Sequence, residues 1–147
     1  MMKPIILSLG LLLTGLSHGV EEKLYKQHGD YKLFFSAFNS SFIAPDIAVA
    51  NNIVRGKDKG IVNIALVREL GKGVEGNVTG TVSNILQQSQ TLEFVAVHEQ
   101  NTVYYLAPFE FDNEDFLTFK IRVLPEGKGT QPVYPYDFKF QKKMYLD

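Results

Sequence analysis

A chain of 147 residues suits one domain and is long enough to bury a real core. Its 15 Lys+Arg against 16 Asp+Glu leave a net charge of −1, which offers no basic face for nucleic acid, and an apolar content of 45% argues against wholesale disorder. There is no cysteine, so the fold must be held by its core without disulfides.

The first twenty residues read as an export signal. Met1-Met2-Lys3 supplies a positive start, and Ile5 to Leu16 is apolar apart from Ser8, Gly10, Thr14 and Gly15. Ser17-His18-Gly19 then places small residues at the −3 and −1 positions of a cleavage site before Val20. The apolar run is too short for a spanning helix, which needs about 20 residues. The expectation is a signal peptide over 1–19 and a single mature domain over 20–147, not membrane-spanning after cleavage. A disulfide-free exported domain of this size fits a bacterial periplasm better than a eukaryotic extracellular setting.

Beyond Val20 the dominant period is two, as in half-buried strands. In chain order the predicted strands are Tyr31 to Phe38, a short piece at Ile53 to Arg55, Ile61 to Leu70, Val74 to Ile85, Leu92 to His98, Val103 to Phe109, Phe116 to Leu124 and Tyr134 to Phe140. The clearest is Phe116 to Leu124, where Leu117, Phe119, Ile121 and Val123 alternate with Thr118, Lys120 and Arg122. Turn residues separate the strands at 56–60, 71–73, 112–115 and 126–129, and Gln100-Asn101-Thr102 is short enough to close a hairpin. Pro45 to Ala50 is the exception: proline at the first helical position, Asp46 in the first turn and Asn51-Asn52 as a stop predict one or two helical turns. This pattern of seven or eight strands leaves no room for crossover helices. It predicts an all-β antiparallel sandwich, immunoglobulin-like in style, with a closed barrel as the alternative.

The candidate chemical motifs each lack their required context. Gly71-Lys72-Gly73-Val74-Glu75-Gly76 has the glycine spacing of a dinucleotide fingerprint, but it leads into Asn77-Val78-Thr79-Gly80-Thr81-Val82, which favours a strand over the necessary helix. His98-Glu99 opens like a zinc-protease motif, but Thr102 stands where the second histidine should be. His28 and His98 are the histidines beyond the leader; a metal site joining them with Glu99 or Asp30 is conceivable, yet His98 and Glu99 point to opposite faces of a strand. No Gly-x-Ser-x-Gly elbow occurs, and the acids of Glu110 to Asp115 read as a solvated turn. The expectation is no catalytic residue, no metal and no cofactor.

Aromatic content is high, with 11 Phe and 7 Tyr. Tyr104-Tyr105, Tyr134, Tyr136 and Tyr145 suit a binding strip, whereas alternation on strands suits core filling by one member of each pair. Lys139, Lys142 and Lys143 on a last strand read as protection of an edge. Asn39-Ser40-Ser41 and Asn77-Val78-Thr79 are glycosylation sequons, relevant in a eukaryotic host alone. The polar residues chosen for a surface interaction site are Arg55, Asn63, His98 and Glu99. Arg55 follows a short apolar run, and Asn63 interrupts an otherwise apolar strand.

Several segments carry a resemblance. Phe38 to Ala48, Ile53-Val54-Arg55, Gly60 to Ile64, Val78-Thr79-Gly80 with Asn84-Ile85, and Val103 to Ala107 together resemble a family of small gammaproteobacterial exported proteins known as a domain of unknown function. Gly56 stands where that resemblance implies a serine. The resemblance implies a periplasmic setting and supplies no activity. The functional expectation is a non-catalytic binding or interaction module whose partner is another envelope protein or a peptide; the alternatives are a carrier of a small apolar ligand and a metal-dependent or hydrolytic enzyme.

Overall fold

The computed structural model describes residues 25–68, 71–127 and 132–147; the predicted leader over 1–19 lies outside them. Among the described residues, nine strands form two antiparallel sheets. They are β1 (Tyr25–His28), β2 (Tyr31–Asn39), β3 (Lys59–Val67), β4 (Gly76–Ser83), β5 (Ser89–Leu92), β6 (Val95–Glu99), β7 (Thr102–Glu110), β8 (Asp115–Pro125) and β9 (Tyr136–Met144). One sheet has the order β1-β2-β3-β7-β6 and the other β5-β4-β8-β9. The predicted sandwich is therefore correct, and the barrel alternative is excluded because neither sheet closes on itself or on the other.

Three differences from the sequence reading have local causes. Tyr25–His28 is a strand with no apolar alternation of its own; it forms by pairing with Tyr31–Phe34 across a turn at Gly29, whose φ is +59°. Leu92 to His98 is two strands in different sheets, because the chain turns a corner at Glu93-Phe94. Ile53 to Arg55 joins no ladder: Ile53 is buried beside the helix α1 (Pro45–Ala50), donating its N–H to Ala48 at 2.8 Å. The helical turn itself stands where proline and Asp46 placed it.

The core lies between the sheets. Leu33, Val62, Ile64, Leu66 and Phe109 from one sheet meet Val78, Val82, Leu117, Phe119 and Ile121 from the other, and each fully buried side chain of this kind contributes roughly 1.5–3 kcal/mol. An aromatic series runs through it. Phe109 meets Phe119 edge-on at 5.2 Å, Phe119 stacks on Phe140 at 4.7 Å, and Phe140 contacts Phe35 at 4.7 Å. A second, smaller cluster covers the outer face of the five-stranded sheet, where the β2–β3 excursion lays Ala48 and Ile53 over Ile61 and Leu106. The outer face of the other sheet is polar.

Candidate functional site

A sandwich with two open sheets has edges, and an edge exposes backbone groups that another chain can pair with. Most edges here are sealed by side chains. On one side Lys142 Nζ donates to the Ala37 carbonyl at 2.6 Å, Asn39 Nδ2 donates to the Tyr145 carbonyl at 2.9 Å, and Phe35 packs on Phe138 and Phe140. Lower on the same side the His28 ring stacks on Tyr136 at 4.7 Å, with its Nε2 3.2 Å from the Tyr134 carbonyl. On the other side β6 covers β7 no further than Leu106, and the exposed end of β7 is capped by Gln90. Its amide Nε2 donates to the Glu110 carbonyl at 2.7 Å while its Oε1 accepts the Glu110 N–H at 2.9 Å, mimicking a strand.

The corner between β6 and β4 is different. Glu99 and Thr102 flank a two-residue hairpin turn and form its hydrogen-bonded pair, so the alternation of an antiparallel ladder binds Val97 and Val95 to β7 as well. It leaves the N–H and C=O of Ala96 and His98 directed away from the sheet. Across the corner β5 pairs with Gly80–Ser83 alone, so Gly76–Thr79 of β4 also has an uncovered side. Among the described residues no side chain caps Ala96 or His98, and on β4 the Gly76 N–H alone is taken, by the Tyr105 hydroxyl.

A groove of about 710 Å³ opens at the foot of this corner, lined by Arg68, Lys72, Glu75, Gln100, Asn101 and Glu126 among others. Glu75 reaches from the start of β4 to within 3.5 Å of His98 Nε2. Tyr105 of β7 holds the start of β4, its hydroxyl oxygen accepting the Gly76 N–H at 2.8 Å. Burial raises the Tyr105 phenol above its ordinary value; the Gly76 hydrogen bond opposes this, and the charges of Glu75 and Glu126 add to it.

The four residues picked from sequence do not converge. Arg55 lies in the loop after α1 and donates to the Ser41 carbonyl at 3.3 Å, at the end of the sandwich where β2 finishes. His98 and Glu99 lie at the opposite end, and they face opposite sides of the sheet as strand alternation requires. Asn63 is half-buried on the outer face, between Ser36 and Leu106, and its Oδ1 is buried with no hydrogen-bond partner among the described residues. His98 alone belongs to the open corner. What sequence reading missed is the corner itself, because β4 and β6 are brought together by strands 5 and 7 acting from different sheets. The signal available was Glu93-Phe94, a break in an apolar run.

The conceivable metal ligands are also separated. His28 is on β1 and His98 on β6, the two edges of one sheet, four strand spacings or about 19 Å apart. The tyrosine strip does not assemble either. Tyr105 is in the core, Tyr104 is half-buried on the outer face, Tyr134 and Tyr136 are at the His28 side, and Tyr145 is at the far end.

The profile of the family "Domain of unknown function (DUF4426)" matches residues 25–147. The chain belongs to this family. Its fold is similar to the crystal structure of a DUF4426 family protein from Pseudomonas aeruginosa, with 31% identity and a TM-score of 0.75 over 87% of this chain and 98% of that one. The resemblance read from the sequence is thereby confirmed. Two further solved structures share the fold at low identity. One is FetP of uropathogenic Escherichia coli strain F11, recombinantly expressed in the periplasm of E. coli BL21(DE3), at 11% identity and TM-score 0.62, over 83% of this chain and 93% of that one. The other is a copper-bound variant of the same protein, at 12% identity and TM-score 0.60, over 81% and 92%. No curated protein matches this DUF4426 chain.

Proposed function

We propose that this DUF4426 protein is a non-catalytic module of the bacterial periplasm that captures an extended segment of another envelope protein by strand addition to β6. The observation that carries the reading is the uncapped pair Ala96 and His98, on an edge strand whose counterparts elsewhere in the sandwich are sealed. Backbone pairing along such an edge supplies affinity, and side chains at alternate positions supply selection. Here the alternate positions are Val95 and Val97 on one face, and His98 with Glu75 on the other. The leader-like N-terminus and the fold shared with a protein expressed in the periplasm support the compartment.

The other readings find less support. An apolar-ligand carrier needs room between the sheets, and that space holds the stacked series of Phe35, Phe109, Phe119 and Phe140. A copper or zinc role would need converging ligands, and the two histidines stand about 19 Å apart. FetP at 11–12% identity lends this chain its fold and no ligand.

The test places a photo-crosslinking residue at position 96 in the native host and identifies adducts by mass spectrometry. Ala96→Pro is the matched control, since it removes an outward N–H while leaving the β6–β7 ladder intact. A defined envelope partner that is captured through position 96 and lost with A96P supports strand addition. Recovery of the protein itself alone, or adducts that A96P leaves unchanged, overturns it.

A further inference from the structure

The outer face of the four-stranded sheet carries an unbalanced charge pair. Register places three rows of side chains across β4, β8 and β9: Thr79–Arg122–Asp137, Thr81–Lys120–Lys139 and Ser83–Thr118–Gln141. The first row is internally neutralised, because Arg122 grips Asp137 through two parallel hydrogen bonds of 2.7 and 2.9 Å. The third is neutral, Gln141 donating to Thr118 at 3.1 Å. In the middle row Lys120 and Lys139 face each other directly, and neither has an ion-pair partner among the described residues.

Like charges in directly opposed positions weaken a sheet. The arrangement is uneconomical for folding and favourable for holding an anion. A depression of about 500 Å³ lies over these lysines, bordered by Thr79, Thr81, Arg122 and Asp137. Two ammonium groups on flexible stems can converge on one oxyanion from opposed positions, with the Thr81 hydroxyl as a third donor. The Arg122–Asp137 pair fences one end, and Asp137 is occupied by it and so does not compete for the lysines.

We infer that this row is a binding site for a phosphoryl group, with Lys120 and Lys139 supplying the charge and Thr81 a hydrogen bond. A phosphate monoester brings close to two negative charges and three acceptor oxygens, matching two ammoniums and one hydroxyl in number and sign. The site is on the opposite sheet from β6 and is independent of strand addition.

The test follows backbone amide shifts of the full protein in a titration with inorganic phosphate at low ionic strength. The expected result is a saturable shift confined to Thr81, Lys120, Lys139 and their neighbours. The apparent affinity should fall at least tenfold in each of Lys120→Gln and Lys139→Gln, and phosphate should raise the melting temperature of the wild type more than that of the variants. A second arm measures co-sedimentation with vesicles containing phosphatidic acid, against phosphatidylcholine alone. Co-sedimentation lost in both variants identifies a lipid headgroup as the source. Phosphate binding with no vesicle binding identifies a soluble phosphorylated ligand; both results support the site. Shifts spread over lysines such as Lys57 and Lys142, equal affinity in the glutamine variants, or no saturable response overturns it.

Discussion

Ser40 and Gly56 are joined twice through one hydroxyl: Ser40 Oγ donates to the Gly56 carbonyl at 3.1 Å and accepts the Gly56 N–H at 3.0 Å. Ser40 is fully buried, and the bond pins the segment after α1 against the end of β2. Gly56 occupies a tight place, since a Cβ there would meet Lys59 Cγ at 3.0 Å. The serine that the family resemblance suggested at position 56 is thus replaced by a residue whose backbone, rather than side chain, makes the contact.

Removing that hydroxyl orphans two backbone groups. Ser40→Ala should cost about 1–3 kcal/mol, read as a lower urea midpoint with an unchanged m-value. Because Ile53 and Ala48 are held by the same excursion, hydrogen exchange should quicken over residues 40–56 before it does so in β3 or β7. A loss under about 0.3 kcal/mol would mean that water replaces the hydroxyl without penalty.

Gly60 illustrates the opposite sensitivity. It is paired directly with Phe109, whose ring lies where a side chain would go: a Cβ at Gly60 would fall 2.3 Å from Phe109 Cζ. Phe109 is itself locked against Phe111 and Phe119. Gly60→Ala should therefore destabilise by roughly 1–3 kcal/mol through overpacking, despite alanine's better strand propensity. Gly60→Ala combined with Phe109→Leu should recover part of the loss, and equilibrium denaturation of the two variants checks this.

Asn63 has a buried Oδ1 with no partner among the described residues and lies beside Ile61, Ala65 and Leu106. Asn63→Val should stabilise by about 1 kcal/mol, as it removes an unsatisfied acceptor and suits a strand. A destabilised N63V in thermal melts would instead show that the amide is paired in solution.

Lys139→Glu separates stability from binding. It turns an opposed like-charge pair with Lys120 into an attractive one, with an expected gain of about 0.2–1 kcal/mol in low salt, shrinking as salt is raised. The same change should abolish phosphate binding while the protein becomes more stable.

Acid should weaken the neighbouring row. The hydrogen bonds from Arg122 hold the Asp137 carboxyl below its ordinary value, against a smaller opposing effect of desolvation. A depressed folded value means the contribution is full above the unfolded value near ~4 and is lost as pH falls through the folded one. The stability difference between wild type and Arg122→Gln should thus shrink between about pH 5 and about pH 2. A difference that stays constant over that window would assign the Arg122 effect to packing.

The strand periodicity, the helical turn at Pro45–Ala50 and the family were legible in the residues, because each is written in spacing along the chain. Leu117 to Val123 alternates whatever it packs against, and proline with a following acid starts a helix locally. What tertiary structure alone decided is pairing between residues distant in sequence. Lys120 meets Lys139 through register, Ser40 meets Gly56 through an excursion over the sheet, and the β4–β6 corner opens because β5 pairs with Gly80–Ser83 alone and β6 has no strand on its outer side. A period of two states which face a side chain takes, and it is silent on which strand lies alongside; that choice belongs to burial and hydrogen bonding summed over the whole sandwich.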